Sequence, residues 1–250
     1  MTKGILYIVP TPVGNLGDIT LRALDVLRDA DVIFAEDTRT TGILLQHFDI
    51  AHGRMVSCHK FNEQQRLEEV CARLSAGEKV ALVSDAGTPG VSDPGFLLAR
   101  ECASRGFEVQ TLPGATACIP ALVSSGLSCD KFCFEGFLPQ KKGRQSAVEA
   151  LRGEERTMVF YESPRRLVKT LEQMSAVFGA QRRCCVSREI SKVHEEHLRG
   201  TLQEALQHFT QCEPRGEIVL VVAGCRMEGR KEHRNKYKEE PDSGEGEEER

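Results

Sequence analysis

With 250 residues, 40% of them hydrophobic and 28% charged, the chain has the composition of a globular protein with one large or two small cores, not of a disordered or membrane-embedded one. Of its 37 acidic and 33 basic residues, 9 and 7 lie in 226–250. The net −2 left in residues 1–225 excludes nucleic-acid binding by bulk charge, so any RNA contact needs a local basic patch.

No apolar run nears the roughly 20 residues that span a bilayer. The start, "MTKGILYIVPTP", lacks the apolar segment and cleavage site of a signal peptide. A cytoplasmic location with no membrane partner is expected. The ten cysteines include no Cys-x-x-Cys pair, and Cys129 and Cys133 have no matching histidine pair. Ordinary reduced thiols and no metal site are therefore expected.

Strand-like runs are expected at 5–11, 31–36, 54–58, 79–84 and 107–112, with helical stretches at 21–30, 40–48, 62–77 and 95–106 between them. In the helical stretches apolar residues recur every three or four positions. Asp18 suggests an N-cap, Asn62 with Gln65 a capping box, and Gly77 and Gly106 helix stops. Alternating strands and helices predict crossover units and a mostly parallel sheet covered on both faces. From residue 113 the pattern changes. A small-residue helix in "PGATACIPALVSSG" (113–126) precedes strand-like runs at 132–138, 157–163, 183–190, 195–200 and 216–224. Helical stretches at 143–153, 164–179 and 202–211 separate them. This half is less regular and leaves room for antiparallel pairs. The expectation is two α/β domains, 1–113 and 114–225, with a cleft between them, and a low-complexity, disordered tail at 226–250.

Several strand ends carry groups that chemistry could use. "VPTPVGNLGD" (9–18) opens into a glycine-rich turn, but its spacing fits neither a dinucleotide fingerprint nor a phosphate loop. "AEDTRTT" (35–41) places Glu36, Asp37 and Arg39 where a buried strand stops, and ligands of parallel sheets gather at such ends. The plainer alternative is that Asp37 or Thr38 caps the next helix while Arg39 pairs with a carboxylate. "SCHKFNE" (57–63) adds His59, Lys60, Asn62 and Glu63. In "LVSDAGTPGVSDPG" (82–95) a buried strand gives way to Gly, Pro, Asp and Ser. Gly87, Gly90 and Gly95 let backbone approach a ligand, while Ser84 and Asp85 offer acceptors. "LPGATA" (112–117), "FYESPRR" (160–166) and "SREISK" (187–192) are further strand ends. A basic set, Lys141, Lys142, Arg144, Arg165, Arg166, Lys169, Arg182 and Arg183, is either a solvated surface or a phosphate-binding one.

In order and spacing, "TPVGNLGDITLRALDVL", "AEDTRTT", "ALVSDAGTPGVSDPG", "LPGATA", "FEGFLP", "FYESPRRL" and "RGEIVLVV" closely resemble the ribosomal RNA small subunit methyltransferase I family, within the tetrapyrrole-methylase superfamily. The resemblance covers about residues 4–225. It implies two α/β domains holding S-adenosyl-L-methionine between them. It also implies methyl transfer, by a homodimer, to the 2′-hydroxyl of a cytidine in the decoding region of 16S rRNA in the small ribosomal subunit. Pro12 resembles the proline of the superfamily's first glycine turn. Ala86, Gly87, Thr88 and Val91 resemble donor contacts, Thr116 and Ala117 match a donor-contacting pair, and Ser84, Asp85 and Tyr161 complete the expected donor set. Thr88 stands where relatives carry Asp, and Thr40 where many family members carry His. The expected ribose-docking rim is Glu36, Asp37, Arg39, His59, Asn62 and Glu63, with Asp37 and His59 as first candidates for a general base. The expected RNA contacts are Lys141, Lys142, Arg144, Arg165, Arg166 and Lys169. Two rival readings are a superfamily methyltransferase acting on a tetrapyrrole and a nonenzymatic ribosome-assembly module. Polar groups at three strand ends argue against the second.

Overall fold

The computed structural model describes residues 4–51 and 53–225; the tail expected at 226–250 lies outside the described residues. In the first half β1 (Ile5–Ile8), β2 (Val32–Ala35), β3 (Met55–Ser57), β4 (Lys79–Val83) and β5 (Glu108–Thr111) form one sheet. Its order is β3-β2-β4-β1-β5 and every pairing is parallel. β2 is buried along its whole length and β4 beyond Lys79, as continuous apolar runs require when helices cover both faces. On one face α1 (Leu21–Asp29) and α2 (Thr38–His47) pack Leu27 and Leu45 against Ile33, Ala35 and Val83. On the other, α3 (Glu63–Ser75) and α4 (Phe96–Ser104) pack Leu67, Leu74 and Leu98 against Leu6, Phe34 and Leu82. Each such leucine contributes about 1.5–3 kcal/mol.

Local signals set the helix ends, with two corrections. The N-cap of α1 is Thr20, whose hydroxyl accepts from the Ala23 N–H at 3.1 Å; Asp18 does not cap it. Asn62 makes no cap bond to α3. Its amide is drawn between the His59 N–H (2.7 Å) and the Ser57 carbonyl (3.1 Å), so the box with Gln65 does not form. Gly77 and Gly106 end their helices at φ 88° and 75°, the left-handed geometry of a C-terminal glycine.

The second half holds β6 (Phe132–Phe137), β7 (Thr157–Glu162), β8 (Arg183–Arg188), β9 (Glu196–Thr201) and β10 (Ile218–Val222), in the order β6-β7-β10-β8-β9. β6 and β7 are parallel and the other pairs antiparallel. α6 (Arg144–Ala150), α7 (Pro164–Phe178) and α8 (Leu202–Gln211) bring Val148, Leu171 and Phe209 to one face. α5 (Cys118–Ser124) lays Ala121 and Leu122 on the opposite face, against Val159 and Val221. All ten cysteines are unpaired and six are buried. Among the described residues no helix is long and apolar enough to cross a membrane, and no group of three His, Cys, Asp or Glu is placed to hold a metal ion.

Candidate functional site

β4 is inserted between β2 and β1, so the loops leaving β1 and β4 run side by side. They are stitched together by main chain: Thr11 N–H donates to the Gly87 carbonyl and Gly87 N–H to the Thr11 carbonyl, both at 2.9 Å. The Thr88 hydroxyl donates to the Ala115 carbonyl at 3.0 Å, adding the segment after β5. That segment can lie so close because residue 114 is glycine; a Cβ there would stand 2.6 Å from Pro10 Cβ. The loop after β4 then folds on itself, Gly90 N–H donating to the Pro94 carbonyl at 3.0 Å. The N-cap of α4 is Gly95, which has no side chain to cap it. Glu63 of α3 fills that role, its Oε1 accepting from the Gly95 N–H (2.9 Å) and the Leu98 N–H (3.2 Å).

Between these loops and the strand ends of the second sheet lies a cavity of about 430 Å³, a size typical of small-molecule sites. Of the expected donor set, Asp85, Ala86, Gly87, Thr88, Val91, Thr116, Ala117 and Tyr161 line it; Pro12 and Ser84 do not. Ser84 is buried behind the wall, its hydroxyl directed at the Ala86 and Gly87 carbonyls. Of the expected rim, Glu36 borders the cavity, whereas Asp37, Arg39, His59, Asn62 and Glu63 stand outside its lining. Val13, Asp93, Phe137, Ile190 and Glu217 line it without having been singled out. Asp93 was within the loop that drew attention, but nothing in the sequence separates it from an ordinary turn aspartate.

Among the described residues, five acidic ones line this space: Glu162 and Glu217 from the second half, and Glu36, Asp85 and Asp93, which meet on the side of the first sheet. The Asp85 N–H donates to Glu36 (3.3 Å) and the Asp37 N–H to Asp85 (3.2 Å), tying the ends of β2 and β4 together. Burial raises Glu36, and the Asp85 charge adds to the rise. Burial likewise raises Asp85, with the Asp37 charge adding to it. Asp93 is pushed up to about 6, first by burial and then by the charges of Glu36 and Asp85. Asp37 goes the other way. Hydrogen bonds from the Arg39 side chain (2.6 and 3.1 Å) and N–H (2.8 Å) hold it at about 2. It is the N-cap of α2, so the capping alternative describes it, and so acidic a carboxyl is a poor proton acceptor. The His59 ring is engaged locally, its Nδ1 accepting from the Phe61 N–H at 3.2 Å.

The basic set needs one clear correction. Arg144 is 5% exposed and faces inward from the first turn of α6. It donates to Glu162 at 2.8 Å, to Gln173 at 2.9 Å, to the Pro139 carbonyl at 3.3 Å and to the Thr170 hydroxyl. Its charge is spent on a buried carboxylate, so it is no RNA contact. Arg166 is half-buried and pairs with the same Glu162 at 3.0 Å. Lys141, Lys142, Arg165 and Lys169 are exposed. The "SREISK" segment crosses between the halves. The Ser191 hydroxyl donates to the Asp18 carboxylate, and Lys192 bridges Glu189 (2.8 Å) and Glu217 (2.9 Å).

The family profile of the Tetrapyrrole (Corrin/Porphyrin) Methylases matches residues 5–206. A protein named ribosomal RNA small subunit methyltransferase I from Synechocystis sp. is 51% identical over 228 residues, spanning 91% of this chain and 81% of its own. Its namesakes from Escherichia coli O157:H7 and Thermotoga maritima are 50% and 45% identical, spanning 91% and 88% of this chain and 80% and 99% of their own. Among solved structures, uroporphyrin-III-C-methyltransferase from Thermus thermophilus matches with a TM-score of 0.61 at 22% identity, over 89% of this chain and 95% of that one. The same enzyme complexed with S-adenyl homocysteine matches at 0.61 and 21% identity, over 88% and 97%. At such identities the two structures speak for the fold alone. Fold, profile and half-identical relatives agree: the chain belongs to the tetrapyrrole methylases and, within them, to the ribosomal RNA small subunit methyltransferase I family.

Proposed function

We propose that the chain moves a methyl group from S-adenosylmethionine to the 2′-hydroxyl of a cytidine in the decoding region of 16S rRNA. It does so in the cytoplasm as a homodimer, with 1–113 and 114–225 as the domains that enclose the donor. The observation that carries this reading is the cavity, where main chain from neighbouring strand ends and the carboxylates of Glu36, Asp85 and Asp93 face one space of about 430 Å³. The residues suit the donor. Its sulfonium and ammonium charges would relieve the repulsion among Glu36, Asp85 and Asp93, and Ala86–Thr88 and Thr116–Ala117 offer small side chains and accessible main chain. Tyr161 and Phe137, edge to face with centroids 5.6 Å apart, give an apolar wall.

When bound, the donor would supply an electrophilic methyl carbon to the ribose oxygen and would carry off the carbon–sulfur electron pair as a neutral thioether. Aligning the two reactants supplies much of the acceleration. Asp93 takes the hydroxyl proton. In the ligand-free protein it stands at about 6, ionised at neutral pH yet far more basic than Asp37, which suits a general base. Glu36 sits beside it and orients the hydroxyl. The exposed Lys141, Lys142, Arg165 and Lys169 contact phosphates, and the exposed Arg39 with His59 holds the outer rim.

The test combines purified protein, labelled donor and small subunits lacking the modification. One methylated cytidine, mapped by mass spectrometry, is expected. Transfer to a tetrapyrrole but not to subunits would favour the tetrapyrrole reading. Donor binding with no transfer to either would favour an assembly module, and no heat on adding millimolar donor would sink the proposal.

A further inference from the structure

An outer rim carries the exposed Phe61 and Phe96, which do not line the cavity, while Phe137 lines it as a wall of the donor site. Phe61 is 89% exposed, Phe96 64% and Phe137 54%. Burying such a ring is worth about 1.5–3 kcal/mol, so rings left facing water beside the site call for an occupant. They arrive from separate elements: Phe61 from the turn before α3, Phe96 as the first residue of α4, Phe137 as the last of β6. The Glu63 bonds to Gly95 and Leu98 hold the start of α3 on the start of α4, which brings together the two segments that carry Phe61 and Phe96. Gly136 backs onto the same loop, since a Cβ there would stand 3.2 Å from the Ser92 hydroxyl, and Phe137 lines the cavity. Asp93, from the middle of that loop, also lines the cavity. Cations alternate with the rings. Lys60 is exposed beside Phe61, and the Arg100 guanidinium lies over the Phe96 ring, 5.5 Å from its centroid, in an exposed ion pair with Glu101 at 2.8 Å that a phosphate can replace.

We propose that this rim is a stacking platform for unpaired rRNA bases next to the target nucleotide, with Phe61 and Phe96 each receiving a base face and Lys60 and Arg100 the neighbouring phosphates. The inference rests on rRNA being the substrate. Single-stranded RNA is the occupant that matches both features, because bases stack on aromatic faces whatever their sequence while cations track the backbone. A ribose hydroxyl can enter a cavity flanked in this way only from a strand splayed out of its helix, and stacking offsets the cost of splaying it.

The experiment compares Phe61→Leu and Phe96→Leu, which keep apolar bulk but lose the ring, with Phe61→Tyr and Phe96→Tyr, which keep the ring. Single-turnover methylation is followed against the concentration of undermodified small subunits, with donor affinity by calorimetry and mass by sedimentation. For each leucine variant the half-saturating subunit concentration should rise roughly tenfold, with the effect falling there rather than on the maximal rate. Donor affinity should hold, and the tyrosine variants should behave as the parent. Leucine variants that saturate as the parent does would overturn the platform alone, as would tyrosine variants as impaired as the leucines. A change of oligomeric state in the leucine variants would overturn it by showing that a second copy covers the rings. No transfer by the parent protein would overturn the platform together with the rRNA reading beneath it.

Discussion

Replacing Asp93 with asparagine should make the ligand-free protein more stable and less active at once. The carboxyl sits at about 6 instead of its ordinary 3.8 because it is half-buried beside Glu36 and Asp85. At about 1.4 kcal/mol per pH unit the gap corresponds to about 3 kcal/mol, which solvent screening of a half-buried group reduces to about 1–2 kcal/mol. The sign follows from proton counting. Between 3.8 and about 6 the folded protein holds this proton more tightly than the unfolded chain does, so stability falls as pH rises through that window. Above it the full penalty applies, and Asp93→Asn removes it. Denaturant titrations at pH 8 should show the variant more stable by about 1–2 kcal/mol, a gain about half as large at pH 5. Methyl transfer should fall by about 10²–10⁴-fold, the usual worth of a positioned base. A variant less stable than the parent at pH 8, or a difference equal at pH 5 and pH 8, would refute the reasoning.

Other consequences can be measured independently. Binding of the cationic donor should lower Asp93 and release a proton around pH 6, seen as a calorimetric heat that depends on the buffer, and should release none near pH 8. Glu63→Ala removes the borrowed cap of α4 and should cost about 1–2 kcal/mol. Its amide exchange should quicken at Gly95 and Leu98, while Glu63→Gln keeps most of the protection. Arg144→Met leaves buried Glu162 with Arg166 as its remaining cation and should destabilise by about 3 kcal/mol. The salt slope of RNA binding should stay unchanged, whereas charge reversal at Lys141 and Lys142 flattens it. Gly114→Ala forces the segment after β5 off Pro10, so donor affinity measured by calorimetry should drop about tenfold; unaltered affinity would show that this segment does not shape the pocket.

The elements of the fold were legible because their physics is local. β2 and β4 read as continuous apolar runs because both of their faces are covered, and Gly77 and Gly106 marked helix ends that only a left-handed residue satisfies easily. α2 starts at Thr38, earlier than its apolar spacing suggests, because the Asp37 cap and not an apolar residue sets its first turn. The site was legible only in part, because it depends on strand order. The segments after β2, β3 and β4 look alike in sequence, but β4 neighbours β1 while β3 lies at the sheet edge. That separates His59, Asn62 and Glu63 from the cavity and brings Asp85 and Asp93 to it. Nor does an arginine in a basic run announce that it is buried; Arg144 meets Glu162 eighteen residues away only once β7 and α6 have packed. Ile190 and Glu217 reach the cavity through antiparallel pairings that periodicity does not specify.

The reciprocal bonds between Thr11 and Gly87 mean that peptide groups build much of the base of the cavity, with the Thr88 hydroxyl tying in the Ala115 carbonyl. Point replacements other than proline can reshape such a surface but cannot delete its peptide donors and acceptors. Efforts to make the protein accept a bulkier sulfonium cosubstrate therefore have their leverage at the side-chain walls, Val13, Phe137 and Ile190, while the peptide floor is inherited intact.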